Sequence, residues 1–386
     1  MDQTSRMING AEAMATAFIL AGVRIAYTFP ITPQSEVMDY FAEQSGFTCI
    51  NADSEYNVLA GAEGVLWSGQ RCAVATASQG LILMSELMWE VSGNRLPLVM
   101  GVFNRGLKGP GWCLGSQHND SLFMRDTGWL QFYCESAQEI LDMVLIGFRL
   151  AERIQLPVMI AGDGFYLSHE REEVLVPSAA QAETFVGKRD ASDMPLSRPP
   201  ASYGGLVPPQ KYYALFRQMH RDVEGSLEVF QEVSAEFEAT FGRRYDPVEE
   251  ADCDGADIVL ISAGTISGTI RKALADAGNS GHKVGFLKLR AFRPFPLRQL
   301  RRAMLKGKKV AVLDRSLALG VGGIFGSELR TVFTNQPESR PLFSFVAGLG
   351  GLDVTPGMVT QLIDYVARTD SPPEGALFLT EAGIEE

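Results

Sequence analysis

No two of the five cysteines, Cys49, Cys72, Cys113, Cys134 and Cys253, form a CxxC pair. An odd, scattered set speaks against a disulfide framework and reads as reduced thiols. No uninterrupted run of 18 apolar residues occurs, so no membrane-spanning helix is expected. The start MDQTSRMING lacks a basic-then-apolar signal pattern, and a cytoplasmic location is the expectation. Positive charge is in deficit: 34 Lys and Arg against 46 Asp and Glu give −12, which argues against a nucleic-acid-binding face. A dinucleotide fingerprint is missing as well. GVGGIFG at 320–326 fails the GxGxxG spacing and has no strand-to-acid context. There is no internal repeat. What is present is an ordinary globular composition, 46% hydrophobic and 21% charged, over 386 residues, enough for two or three domains.

Residues 7–165 alternate helix and strand. Helices are expected over 10–21, 34–45, 56–69, 80–94 and 137–152, and strands over 23–28, 48–51, 73–77, 98–103 and 157–161. Continuous apolar strands between helices predict an α/β, doubly wound parallel sheet covered on both faces. Residues 171–210, rich in Pro, Ser and charge, read as a linker or extended arm, and 211–242 as one long amphipathic helix. A second α/β unit begins near Ala256, with strands at 258–263, 284–289, 310–314 and 342–348. The expected domains are therefore 1–170 and 255–386, with 171–254 between them.

Two strand-to-helix junctions carry the functional signal: AYTFPITPQSEVM (26–38) and AVATASQGLILM (73–84). Ligands of open α/β sheets bind at such strand ends. Between them, SEYNVLAGAEG (54–64) places a single acid, Glu55, before an apolar, small-residue helix. Together with FNRGL (103–107), HNDSLFMRDTGW (118–129), DGFYLSH (163–169), LKLRAFRPFP (287–296), VAVLDRS (310–316) and AGLGGLDVTP (347–356), these runs resemble the α subunits of 2-oxoacid:ferredoxin oxidoreductases of the pyruvate type. The resemblance covers most of the chain outside roughly 171–253. It implies that domain 1–170 binds the pyrimidine end of thiamine diphosphate and that 255–386 is a transketolase C-terminal-like domain.

The resemblance puts Glu55 on the pyrimidine ring, where a carboxyl partner shifts the cofactor's own nitrogen base into play. Read without it, Glu55 is equally an exposed helix-start acid favoured by the dipole. Arg105, after the strand VMGVFN, is implied to bind the substrate carboxylate through its planar fork; the alternative is a surface loop residue. Thr32, held between Pro30 and Pro33, is implied to contact the substrate, or else serves only the turn. Lys108 is a second candidate for the carboxylate. Pro30, Ile31, Ser78 and Gln79 are expected to help seat the cofactor.

The loop RGLKGPGWCLGSQHND departs from the commonest family pattern by its glycines. With Phe103 and Trp112 as an apolar wall, it points to a bulky or aromatic 2-oxoacid such as phenylglyoxylate; a subunit-contact loop is the competing reading. His118, Asp120 and Arg125 are too few for a metal site and read as a hydrogen-bonded network that holds this loop against a partner subunit. GDG at 162–164 begins a Mg²⁺–diphosphate motif, but the next Asn is Asn279, too distant to complete it. Mg²⁺ and the diphosphate are therefore expected on a β subunit. The [4Fe-4S] clusters, which need grouped thiolates, are expected on γ and ferredoxin-like subunits. Coenzyme A is the implied co-substrate, and a flavin- or NAD-linked electron-transfer subunit is a further candidate partner. Two rivals stand beside this reading: a β-type subunit of a lipoamide-linked 2-oxoacid dehydrogenase, and a non-catalytic scaffolding subunit. FNRGL with HNDSLFMRDTGW favours the ferredoxin-linked family over the first. Glu55, Thr32 and Arg105 together argue against the second.

Overall fold

A computed structural model describes residues 3–189, 196, 199, 202–277 and 281–385. The chain opens with strand β1 (Gln3–Asn9) and then alternates: α1 (Gly10–Leu20), β2 (Ile25–Thr28), α2 (Ser35–Ala42), β3 (Thr48–Asn51), α3 (Glu55–Trp67), β4 (Cys72–Thr76), α4 (Ser78–Leu83), α5 (Ser85–Gly93), β5 (Val99–Asn104), α6 (Asn119–Phe123), β6 (Leu130–Cys134), α7 (Ala137–Ile154) and β7 (Val158–Asp163). The central strands CAVAT and VMGVFN are buried at every residue, because helices cover both faces of the sheet. Helix α1 starts on a capping box: Asn9 Oδ1 accepts from Glu12 N at 2.8 Å and Glu12 Oε2 accepts from Asn9 N at 3.2 Å. Its small residues let it lie close to the sheet. A methyl group on Gly101 of β5 would reach within 2.1 Å of the Met14 sulfur.

The next segment is α8 (Tyr166–His169), β8 (Arg171–Pro177), α9 (Ala179–Val186) and α10 (Pro209–Phe241). Residues 171–186, read above as part of an arm, are ordered elements instead. β8 pairs antiparallel with β1 over seven residues, and α9 packs Ala182, Phe185 and Val186 into the core. The pairing joins residues more than 160 apart, which no local pattern signals. Residues 190–195, 197–198 and 200–201 of the proposed arm lie outside the described residues. The 33-residue α10 ends on Gly242 in the left-handed conformation. Its C-terminal half buries Phe230, Val233, Phe237 and Phe241, whereas Tyr212, Tyr213, Leu215 and Phe216 are exposed. Only half of the apolar stripe is therefore core.

The second unit runs β9 (Val248–Ala251), β10 (Ile258–Ser262), α11 (Ile266–Ala277), β11 (Val284–Leu289), β12 (Ala291–Arg293), α12 (Leu297–Met304), β13 (Lys309–Asp314), α13 (Ile324–Arg330), β14 (Leu342–Val346), α14 (Pro356–Arg368), β15 (Leu377–Thr380) and β16 (Gly383–Glu385). Its sheet has the order β16-β15-β14-β13-β10-β11-β9. The first sheet has the order β12-β6-β7-β5-β4-β2-β3, so β12 of the second unit completes the edge of the first. One apolar cluster also draws on both units, joining Met100, Leu122 and Trp129 to Ile261, Leu287 and Phe292.

A buried ionic cluster explains the run LKLRAFRPFP. Lys288 and Arg290 turn inward from the second unit onto Glu139, the third residue of α7. All three side chains are at most 3% exposed. Glu135 and Glu249 complete the set, at 3.0 Å from Lys288 and 2.9 Å from Arg290. Burial by itself would raise the Glu139 pKa, but Lys288 and Arg290 bring it down from 4.5 to about 2. Among the described residues no helix is long and apolar enough to cross a membrane.

Glu139→Gln leaves two buried cations short of their partner and is expected to cost about 3 kcal/mol, at the low end for a broken buried pair because Glu135 and Glu249 remain. Urea unfolding followed by circular dichroism measures it. Because the folded pKa is depressed, the wild-type contribution is complete above pH about 4.5 and is lost as pH falls toward 2; the variant should lack that part of the acid dependence.

Candidate active site

The carboxyl edge of the first sheet gathers the loops after β2, β3, β4 and β5. Glu55 is the first residue of α3, whose start is capped by Ser54 accepting from Asn57 N at 3.3 Å. It is not an exposed helix-start acid, being 7% accessible. Among the described residues its carboxylate has no hydrogen bond or ion pair. It lies across the start of α4: a methyl group on Gly80 would sit 2.6 Å from Glu55 Oε1 and 2.6 Å from Thr76 Oγ1. The Thr76 hydroxyl is buried and has no partner. Leaving the buried Thr76 hydroxyl without a partner is costly, and the Glu55 carboxylate beside it is uncommitted, so the arrangement is suited to a ligand that pairs with both.

Arg105 follows β5 and is 3% exposed, so it is no surface residue. Its guanidinium donates to Thr32 O at 2.5 Å and Gln79 Oε1 at 2.7 Å, while Nε is buried with no partner. Burial lowers its pKa, against the opposing charges of Asp120 and Glu55. Thr32 itself is exposed, and its hydroxyl has no hydrogen bond among the described residues. Pro30 is exposed and Ile31 half-exposed beside it. Gln34, at the end of this loop, is fully buried and donates to Ala75 O at 2.6 Å.

Ser78 is fully buried at a φ of +49°, and its Oγ lies 2.7 Å from Gly106 O and 2.6 Å from Gln79 Oε1. Its hydroxyl is thus engaged within the chain, and Ser78 shapes the turn rather than presenting a donor. Gln79 remains half-exposed. Lys108 stands apart from this group. It is exposed at the tip of loop 106–115, with its ammonium 5.2 Å over the Trp112 ring. The loop is pinched at its neck by Gly106 N donating to Gly115 O at 2.9 Å.

The expected apolar wall does not form. Phe103 is fully buried on the α1 and α7 side of the sheet, because its place in β5 turns it away from the loop. Trp112 is 68% exposed. The network expected to face a partner subunit works within the chain instead. Asp120 accepts from four N–H groups, and His118 Nε2 meets Asp163 Oδ1 at 2.8 Å. Asp163, the acid of GDG, is fully buried and takes Ser116 Oγ, Thr265 N and Thr265 Oγ1, each at 2.7 Å, with Arg315 at 3.4 Å. Burial would raise its pKa; Arg315 and His118 hold it far below the usual carboxylate range. Residues 265 and 315 belong to the second unit, so Asp163 fastens that unit to the site. The sequence reading missed Thr76, Gln34 and Asn104, and it gave Asp163 no role. The strand-end position of Thr76, directly before ASQG, was the available signal.

Sequence comparison gives two family matches: "Pyruvate flavodoxin/ferredoxin oxidoreductase, thiamine diP-binding" over residues 16–235, and "Pyruvate:ferredoxin oxidoreductase core domain II" over 256–359. Relatives include pyruvate synthase subunit PorA of Methanothermobacter thermautotrophicus, 33% identical over 99% of this chain and 98% of its own length. Ketoisovalerate oxidoreductase subunit VorA of Pyrococcus abyssi is 34% identical over 91% of this chain and 90% of its own length. Among solved structures, the 2-oxoglutarate:ferredoxin oxidoreductase of Magnetococcus marinus shares the fold, with a TM-score of 0.73 at 20% identity over 94% of this chain and 65% of that one.

The Gly80 contact gives a direct test of the packing. Gly80→Ala forces Glu55 and Thr76 apart and is expected to destabilise by about 1–3 kcal/mol, as overpacking does. Gly64→Ala, exposed on α3 with nothing within 4 Å, is expected to stabilise by roughly 0.5–1 kcal/mol. Thermal melts of the two variants should move in opposite directions.

Proposed function

The chain belongs to the pyruvate flavodoxin/ferredoxin oxidoreductase family, and on that premise we propose that it supplies the pyrimidine half of a thiamine diphosphate site and the grip on a 2-oxoacid carboxylate. The reaction is the CoA-dependent oxidative decarboxylation of the acid. One 2-oxoacid and one CoA give acyl-CoA, CO₂ and a proton, and two electrons leave one at a time for iron–sulfur clusters on partner subunits. The observation that carries this reading is Glu55, a buried carboxylate with no bond inside the described chain, beside the unpartnered Thr76 hydroxyl.

The residues fit the cofactor. Gly80 leaves room against Glu55 and Thr76, and Pro30, Ile31 and Gln79 border the same edge. When bound, thiamine diphosphate supplies the electron sink that accepts the pair released with CO₂. Glu55 would share a proton with the pyrimidine ring nitrogen, since no group of the described chain competes for its carboxylate. Arg105 would meet the substrate carboxylate with the N–H groups of its guanidinium that Thr32 O and Gln79 Oε1 leave free. Thr32 offers a hydroxyl at the mouth. Asp163 is saturated by Ser116, His118, Thr265 and Arg315, which supports placing Mg²⁺ and the diphosphate on a partner β subunit. Both family matches are to ferredoxin- or flavodoxin-linked enzymes, which favours these acceptors over lipoate. The relatives' names make pyruvate and 2-oxoisovalerate the first substrates to try. Preference for an aromatic acid has lost the wall that suggested it, and phenylglyoxylate serves as the comparison.

In the assembled complex, with dye reduction as the assay, Glu55→Gln should lower turnover at least about 100-fold with assembly intact. Near-normal turnover would remove Glu55 from the mechanism. Arg105→Lys keeps charge but loses the fork, and should raise the 2-oxoacid KM about tenfold or more. Thr32→Val, losing one neutral hydrogen bond worth about 1 kcal/mol, should raise it less. An unchanged KM for Arg105→Lys would move the carboxylate site elsewhere.

A further inference from the structure

Asp120 is fully buried in the five-residue helix α6, yet both its oxygens face the carboxyl edge of the sheet. Oδ2 accepts from Ser78 N at 2.8 Å and from Arg105 N at 3.0 Å. Oδ1 accepts from Asn104 Nδ2 at 2.7 Å and from Ser121 N at 2.8 Å. One oxygen thus joins the ends of two neighbouring parallel strands, β4 and β5. At the first, Ser78 is held at a positive φ, which a serine rarely adopts. At the second, the backbone of Arg105 is fixed where its guanidinium spans Thr32 O and Gln79 Oε1. Two strand-end loops are therefore set by a single carboxylate, and a third, at Thr32, is reached through Arg105.

We propose that Asp120 is the positioning residue of this site, holding the Ser78 and Arg105 backbone so that Arg105 is presented to the substrate carboxylate. The inference rests on the reading that Arg105 takes that carboxylate. Asp120 touches neither substrate nor cofactor and acts through Arg105. The amide of Asn can imitate part of this role. With its oxygen toward Ser78 N and Arg105 N, its NH₂ faces Asn104, whose Oδ1 is buried and unpartnered and can turn to accept it; the bond from Ser121 N is lost, but the two bonds that hold the strand ends are kept. Ala can do neither.

The test measures KM for the 2-oxoacid and for CoA in the assembled complex, together with melting temperature. Asp120→Ala should raise the 2-oxoacid KM at least about tenfold and leave the CoA KM unchanged. Asp120→Asn should restore most of it, to within about threefold of wild type. Added to Arg105→Lys, Asp120→Ala should raise KM by less than about twofold more, because both act through one group. If Asp120→Ala does not assemble, Asp120→Ser, with one hydroxyl in place of two oxygens, gives the same comparison. A purely structural role would lower yield or kcat with KM unchanged, or give multiplicative KM effects in the double variant, and either result overturns the proposal. If Arg105→Lys alone leaves KM unchanged, the reading of Arg105 fails instead, and the two failures are told apart.

Discussion

Burying a carboxylate demands donors, and the way this chain meets that demand organises everything at the sheet's carboxyl edge. Asp163 and Asp120 are fully buried and saturated by hydrogen bonds from their own chain. Glu139 is held by two buried cations. Glu55, 7% accessible, is the exception, with no bond among the described residues. That contrast is the ground on which Glu55 is proposed as a site residue.

The same bonds hold the two units as one body. β12 extends the first sheet, Asp163 binds Thr265 and Arg315, and the Glu139 cluster adds a second ionic tie between the units. The segment that follows the Arg105 loop, at His118 and Asn119, is thus fixed by both units. Preorganisation of this kind places donors before a ligand arrives, so little binding energy is lost to ordering them.

The fold was legible where the chain's local pattern decides structure. Runs such as CAVAT and VMGVFN are continuous apolar strands, and the turn before Glu55 announces a helix start. Legibility ended where partners are distant in sequence. REEVLVP reads as a charged arm until β1 is set beside it, and Asp163 reads as half a metal motif until Thr265 and Arg315 arrive. Side-chain direction was the other limit. Phe103 was placed in the pocket, but its position in β5 sends it into the opposite core. Glu55 and Arg105 were singled out because strand ends are where such sheets bind ligands, and the structure places both at the carboxyl edge. Thr76 was missed although its strand-end position before ASQG pointed to it, and Gln34 was missed because a buried amide has no signature in sequence.

A structure of the assembled complex with thiamine diphosphate bound tests the central claim most directly. The account expects a Glu55 carboxylate oxygen within hydrogen-bond reach of the pyrimidine ring nitrogen, about 2.6–3.2 Å. A ring nitrogen paired with another group, with Glu55 turned away onto Arg105 or solvent, would contradict it.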